Sequence, residues 1–156
     1  MRIIYMSLIY SHIIYCLPVW GNTWACYLRP VEIAQKRAIR TINFLGRYDH
    51  THDLFVNQKL LKFKYVVMYF DLLLVFKFLN FNYVPQIFSR TNNVYQFRNN
   101  MNIMIPFTRS ELFKKSVFVS APSIWYNLVN SLKNIQNINT FKHNLKKHLL
   151  EIQKKL

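Results

Sequence analysis

Glycine is nearly absent: Gly21 and Gly46 are the only two in 156 residues, beside five prolines. A many-stranded sheet needs a turn every few residues, so this shortage of breakers argues for helices. It also removes any glycine-rich phosphate loop. Acids are the next shortage: six Asp and Glu stand against 21 Lys and Arg, a net charge of +15. A field of that sign draws polyanions, nucleic acid or an anionic membrane. A/T-rich codons would explain abundant Asn, Ile, Lys, Phe and Tyr, but they also encode Asp and Glu. Base composition therefore accounts for the lysines and not for the missing acids. Cysteine is limited to Cys16 and Cys26, on either side of a turn, with no CxxC and no Cys/His set at zinc spacing. They read as two buried free thiols in a reducing, intracellular setting, nucleus or cytoplasm. No GxSxG elbow is present and neither cysteine has an evident histidine partner, so nucleophilic catalysis has no support.

What is present is apolar and aromatic: 52% and 17% of the residues. That is enough for a core and excludes general disorder. The fold class expected is mainly α, a small helical domain of about four to six helices with room for a short β-hairpin in the second half. Two regions are expected, a helical one over 1–80 and a basic helical one over 81–156 that includes an Asn-rich loop, Ser89 to Met104. A first helix is expected from Arg2 to Leu17. A second would open with Pro30 in its first turn and end at Gly46, with Val31, Ala34, Ala38, Ile42 and Leu45 as its apolar stripe. A third spans Lys59 to Asn80. The last starts at an N-cap Thr140 and buries Phe141, Leu145, Leu149 and Ile152. Val117, Phe118 and Val119 have strand character.

From Ile3 to Trp20 no residue carries a fixed charge, which imitates a membrane helix or a signal peptide. Ser7, Ser11, His12, the aromatic rings and Pro18 count against insertion, and no small-residue cleavage site follows. The run reads instead as a helix that must be covered on both faces by something larger on its N-terminal side. The Tyr65 to Phe76 run is too short to span a bilayer and reads as a buried helix.

The stretch Ser11 to Ile42 resembles the region just after the catalytic palm in reverse transcriptases of jockey-like non-LTR retrotransposons. There a tyrosine- and histidine-rich helix ends in Pro-x-Trp-Gly-Asn/Ser, and a link leads through Leu-x-Pro to a helix reading Gln-Lys-Arg/Lys-Ala-Ile-Arg. The matching residues are Tyr10, Ser11, His12, Tyr15, Cys16, Pro18, Trp20, Gly21 and Asn22, then Leu28, Pro30, Gln35, Lys36, Arg37, Ala38, Ile39 and Arg40. Leu54-Phe55, the Leu60 to Phe63 segment with its helix, and Val84-Pro85 continue the pattern. Tyr95 to Arg98, Pro106 to Ser110 and Ala121 to Leu128 complete it, with Ala121 in place of a glycine and Tyr126 inserted. The resemblance covers nearly the whole chain.

It implies the thumb and the helical region after it, a fragment of an RNA-directed DNA polymerase without its palm. The family's magnesium ions belong to palm aspartates, including an adjacent pair; this chain has no Asp-Asp, so no cofactor and no catalytic residue is expected on it. The expected role is sequence-tolerant binding to RNA or DNA duplex backbone through Arg29, Lys36, Arg37, Arg40 and Arg47. The palm and fingers of a full-length polymerase would be the other partner, and no small-molecule substrate is expected. Two alternatives stand: a small basic membrane-associated protein with Ile3–Trp20 inserted, and a decayed element copy without function. The His50-x-His52-Asp53 cluster lacks the further ligands that a metal site needs and reads as a loop in which Asp53 caps the next helix. Trp20, Trp24 and Trp125 read as core anchors rather than base-stacking platforms.

Overall fold

The computed structural model describes residues 2–81, 88 and 103–155. The expected Asn-rich loop, Val84-Pro85 and Tyr95 to Arg98 lie outside the described residues, save Ile103 and Met104 at the loop's end. Among the described residues the regular elements are helices. They are α1 (2–14), α2 (Leu17–Trp20), α3 (Ala25–Ile42), α4 (His52–Asn57), α5 (Phe63–Asn80), α6 (Glu111–Lys114), α7 (Val117–Tyr126), α8 (Asn130–Lys133) and α9 (Ile138–Lys154). Val117, Phe118 and Val119 thus open a helix, not a strand: packing of α7 on α5 overrides their β-propensity.

Helix α5 is the axis of the fold. Its buried residues (Phe63, Tyr65, Val66, Val67, Leu72, Leu73, Val75, Phe76 and Phe78 among them) point in all directions, as befits a helix enclosed by others. It packs against α7, α9, α2 and α3. Phe76 stacks on Phe141 of α9 at 4.1 Å, and Trp125 of α7 leans on the same ring at 5.9 Å. The main core draws residues from Ile13 to Leu149, hence from both of the expected regions. A smaller core of Tyr5, Ile39, Phe55 and Leu60 joins α1, α3 and α4.

Helix α1 is less regular than expected. Tyr5–Tyr10 is a π-helical stretch, and Ser7 and Ser11 both donate back to carbonyls four residues earlier, a pattern that bends helices. It stops at Ile14 rather than Leu17. Tyr15 is extended and Cys16 left-handed (φ 49°), and Pro18, which has no N–H to continue the α1 ladder, sits in the first turn of α2; the indole Nε1 of Trp20 donates to the freed Tyr15 carbonyl at 2.8 Å. One face, Tyr5 and Ile13, is buried, whereas Ile3, Leu8, Tyr15 and Val19 are exposed. Among the described residues no helix is long and apolar enough to cross a membrane.

Helix α3 begins at Ala25, one turn before the expected Pro30, which lies inside the helix and costs it the bond to the Cys26 carbonyl. The buried stripe is also rotated: Gln35 and Ile39 face the core, while Ala34 and Leu45 are exposed. Its end is a Schellman motif. Phe44 takes the left-handed position (φ 55°), its amide donates to the Thr41 carbonyl, and that of Leu45 to the Arg40 carbonyl. Gly46 does not end the helix; its amide donates to Asp49 Oδ2 at 2.7 Å in the following turn. The α4 end repeats the design, with Lys59 left-handed (φ 52°) and bonds from Lys59 and Leu60 to the Val56 and Phe55 carbonyls. Helix α5 starts at Phe63, later than the expected Lys59. The last helix is capped by Asn137, not Thr140: its side chain accepts from the Asn139 amide at 2.8 Å. Its expected stripe holds, with Phe141, Leu145 and Leu149 buried and Ile152 half-buried.

Two buried glutamines bracket the extended link Leu60–Lys62. Gln35 accepts from the Phe63 amide at 2.8 Å and donates to Tyr5 Oη at 2.7 Å and the Leu61 carbonyl at 3.1 Å. Gln153 accepts from the Lys62 amide at 2.9 Å and donates to the Leu60 carbonyl at 3.1 Å. Helix α5 thus receives its N-terminal partners from α3 and α9, which fixes where those two basic helices lie.

Candidate nucleic-acid interface

Burying Leu28, Val31, Gln35, Ile39 and Ile42 of α3 against the core sends the opposite face to solvent, and that face carries the cations. Arg37 and Arg40, three residues apart, point the same way. The Schellman turn then folds the chain back so that Arg47 meets them. The three guanidinium groups line an open cleft of about 590 Å³, whose remaining wall is Ile33, Thr41, Leu45 and Tyr48.

Arg40 is anchored. Its Nε donates to the Asp49 carbonyl at 2.9 Å, which holds the loop against α3 and leaves the terminal Nη groups unused. Arg47 lies 5.9 Å from the Tyr48 ring centroid, a cation–π contact at an exposed site. Among the described residues the ion pair is Lys114 with Glu111, far along the chain; no carboxylate lies within 4.0 Å of Arg37, Arg40 or Arg47. Each of the three guanidinium groups offers a planar fork of donors of the kind that suits phosphate-like oxygens, with the Asp49 carboxylate turned to the Gly46 amide in the same loop.

The other two expected contacts stand apart. Lys36 is exposed on the same side of α3 but lines no part of this cleft. Arg29, two turns nearer the N-terminus, lines a different hollow of about 630 Å³ with Gly21, Asn22, Glu32, Lys64 and Met68. Of the five residues expected from sequence, three are therefore brought together. Tyr48 and Leu45 were not foreseen, because only the left-handed Phe44 turn carries them to the cleft.

The other expected details change. Cys16 and Cys26 are exposed free thiols, not buried ones. Trp125 is buried and Trp20 stacks on Phe63 at 5.7 Å, but Trp24 is 40% exposed with the Lys115 ammonium 4.6 Å from its ring centroid. Asp53 lies exposed in the first turn of α4 and does not cap it; Thr51 occupies the N-cap position without a side-chain bond. The Lys62 ammonium donates to His52 Nδ1 at 3.0 Å, so that ring nitrogen is engaged by a cation rather than offered to one.

Buried Asp71 has a different character from the surface charges. Asn22 Nδ2 donates to its Oδ2 at 2.8 Å, while Oδ1 has no hydrogen-bond partner. Burial pushes its carboxyl up to about 7, against the lowering effect of the Asn22 bond. The six carboxylates are otherwise scattered, and no three metal-ligating side chains of any kind group together among the described residues. The donor set for a two-magnesium centre does not fit these residues, and no phosphoryl-transfer step is assigned to them.

Comparison with protein-family models, with curated proteins and with solved structures finds no match.

Proposed function

We propose that this chain grips the backbone of a nucleic-acid duplex, as the thumb and following helical region of a jockey-like reverse transcriptase would. The observation that carries the reading is the cleft of Arg37, Arg40 and Arg47, uncompensated by any carboxylate within ion-pair distance among the described residues. The order of sequence motifs from Tyr10 to Leu128 supplies the polymerase context, and the +15 charge supplies long-range attraction. Guanidinium groups on an exposed helix face contact phosphates without reading bases, so binding is sequence-tolerant and strongly dependent on salt. The grip is a holding function; the chemistry of polymerisation belongs to a palm.

Fluorescence anisotropy of a labelled RNA–DNA primer–template hybrid, measured over a salt series, tests this. Arg37→Gln with Arg47→Gln leaves the structural Arg40 contact intact. It is expected to lower the slope of log affinity against log salt by about two, at about 0.9 for each phosphate no longer neutralised. Undetectable hybrid binding by the unaltered protein at low salt would refute the function.

A further inference from the structure

A second cleft, sharing no residue with the arginine cleft, is formed where α9 passes the end of α4 and the start of α1. Its volume is about 480 Å³, and its walls carry Arg2, Lys59, Lys146, Lys147 and Lys154 against a single acid, Glu151. Among the described residues none of these five cations lies within 4.0 Å of a carboxylate, and Glu151 is unpaired although it stands four residues after Lys147. Lys146 is half-buried, and its ammonium is pushed below the usual lysine range by burial and then by the charge of Arg2.

Lys59 is one of the cations, and it occupies the left-handed position that closes α4. That turn sets the Lys59 side chain at the end of α4, on the wall of the cleft.

The spacing selects the ligand. Lys146 to Lys154 spans eight residues of helix, about 12 Å at 1.5 Å per residue. One phosphate ion cannot meet both ends, but about four or five consecutive phosphates of a nucleic-acid strand, at about 3.4 Å each along the duplex axis, can. Lysine ammoniums act there as point charges and impose no base preference.

We propose that the Arg2–Lys59–Lys146–Lys147–Lys154 cleft is a second backbone-binding site for a nucleic-acid strand. It rests on the reading of the chain as a nucleic-acid grip and adds a separate contact that α9 supplies. With it, the protein holds nucleic acid at two places, one built from arginines and one from lysines.

The test uses the full chain, the same labelled hybrid and a labelled single-stranded RNA, with polyglutamate as competitor. Lys146→Gln, Lys147→Gln and Lys154→Gln combined should lower the salt slope by about two to three on top of the loss from Arg37→Gln and Arg47→Gln. Glu151→Gln removes the sole acid and should tighten binding severalfold, a gain that a misfolded protein cannot mimic. If the lysine variant and Glu151→Gln bind as the unaltered protein does while the arginine variant weakens, the second site is overturned and the grip stands. If only the lysine variant weakens, the second site stands and the arginine cleft loses its role. Absence of all binding by the unaltered chain overturns both. Tight capture of polyglutamate with no effect of the oligonucleotides identifies an acidic-peptide site and overturns the proposal.

Discussion

Replacing Gln35 with leucine removes the clip that joins α1, α3 and the start of α5. The side chain is 2% exposed and makes three hydrogen bonds, to Tyr5 Oη, the Leu61 carbonyl and the Phe63 amide. Leucine fills a similar volume, so the cost is electrostatic. It leaves the Phe63 amide and the Leu61 carbonyl as buried orphans, at about 1–3 kcal/mol each, while Tyr5 loses a partner for its hydroxyl. Against this stands about 1–2 kcal/mol from the more apolar side chain. The net expectation is a loss of about 3 kcal/mol, a large part of the 5–15 kcal/mol that holds a domain together. Gln153→Leu orphans the Lys62 amide and the Leu60 carbonyl and should cost a similar amount.

Urea unfolding followed by tryptophan fluorescence measures both, with the midpoint falling and the slope unchanged. Because the two glutamines hold adjacent residues of one link, the double variant should lose less than the sum of the single losses: once either side is released, the link can turn its amides to water. A loss below about 1 kcal/mol for Gln35→Leu would show that the Phe63 amide has another partner, and the account of the clip would fail.

Two further expectations follow from individual residues. Asp71 carries a folded carboxyl raised to about 7 from 3.8, so its neutral form is favoured by folding. Its contribution is full below pH 4 and is lost as pH rises to 7, by about 4 kcal/mol at 1.36 kcal/mol per unit. Asp71→Asn should therefore gain stability relative to the unaltered protein across that window and hold the advantage at pH 8; a difference independent of pH would refute the burial argument. At Phe44 the side chain is 87% exposed while the backbone is left-handed, so Phe44→Gly relieves strain and removes little packing. A gain of about 1 kcal/mol, or a melting temperature higher by about 2–4 °C, is expected, and a decrease would mean that the ring has an unrecognised function.

The helical class was legible because its cues are local: few glycines, and apolar residues at Phe141, Leu145 and Leu149 three to four apart. The buried character of α5 was legible too, since an apolar run of that length has nowhere else to go. The register of α3 was not. Hydrophobicity favours Ala34 and Leu45 for the core, yet Gln35 takes a core position because Tyr5, Leu61 and Phe63 satisfy its amide, and that is settled by residues 26 to 30 positions away. Helix ends failed for a related reason. Gly46 looked like the stop, but Phe44 adopts the left-handed conformation without being a glycine, and no propensity scale ranks phenylalanine for that role. The site was half legible: cations on α3 can be read from the helical period, whereas their meeting with Arg47 depends on that turn, and the α9 cleft depends on packing between the two ends of the chain.

Charge is the constraint that links fold and proposed function. A net +15 on 156 residues carries self-repulsion, and among the described residues one ion pair, Lys114 with Glu111, relieves it. The fold does not disperse its cations evenly. It gathers three arginines in one cleft and five basic side chains in another, so that like charges share a wall. A polyanion seated in either cleft removes that repulsion in the folded state, while the unfolded chain, with its cations dispersed, gains less. Under the proposed function, binding and folding are therefore linked, and the acid-poor composition that weakens the free chain is the same property that lets nucleic acid stabilise it.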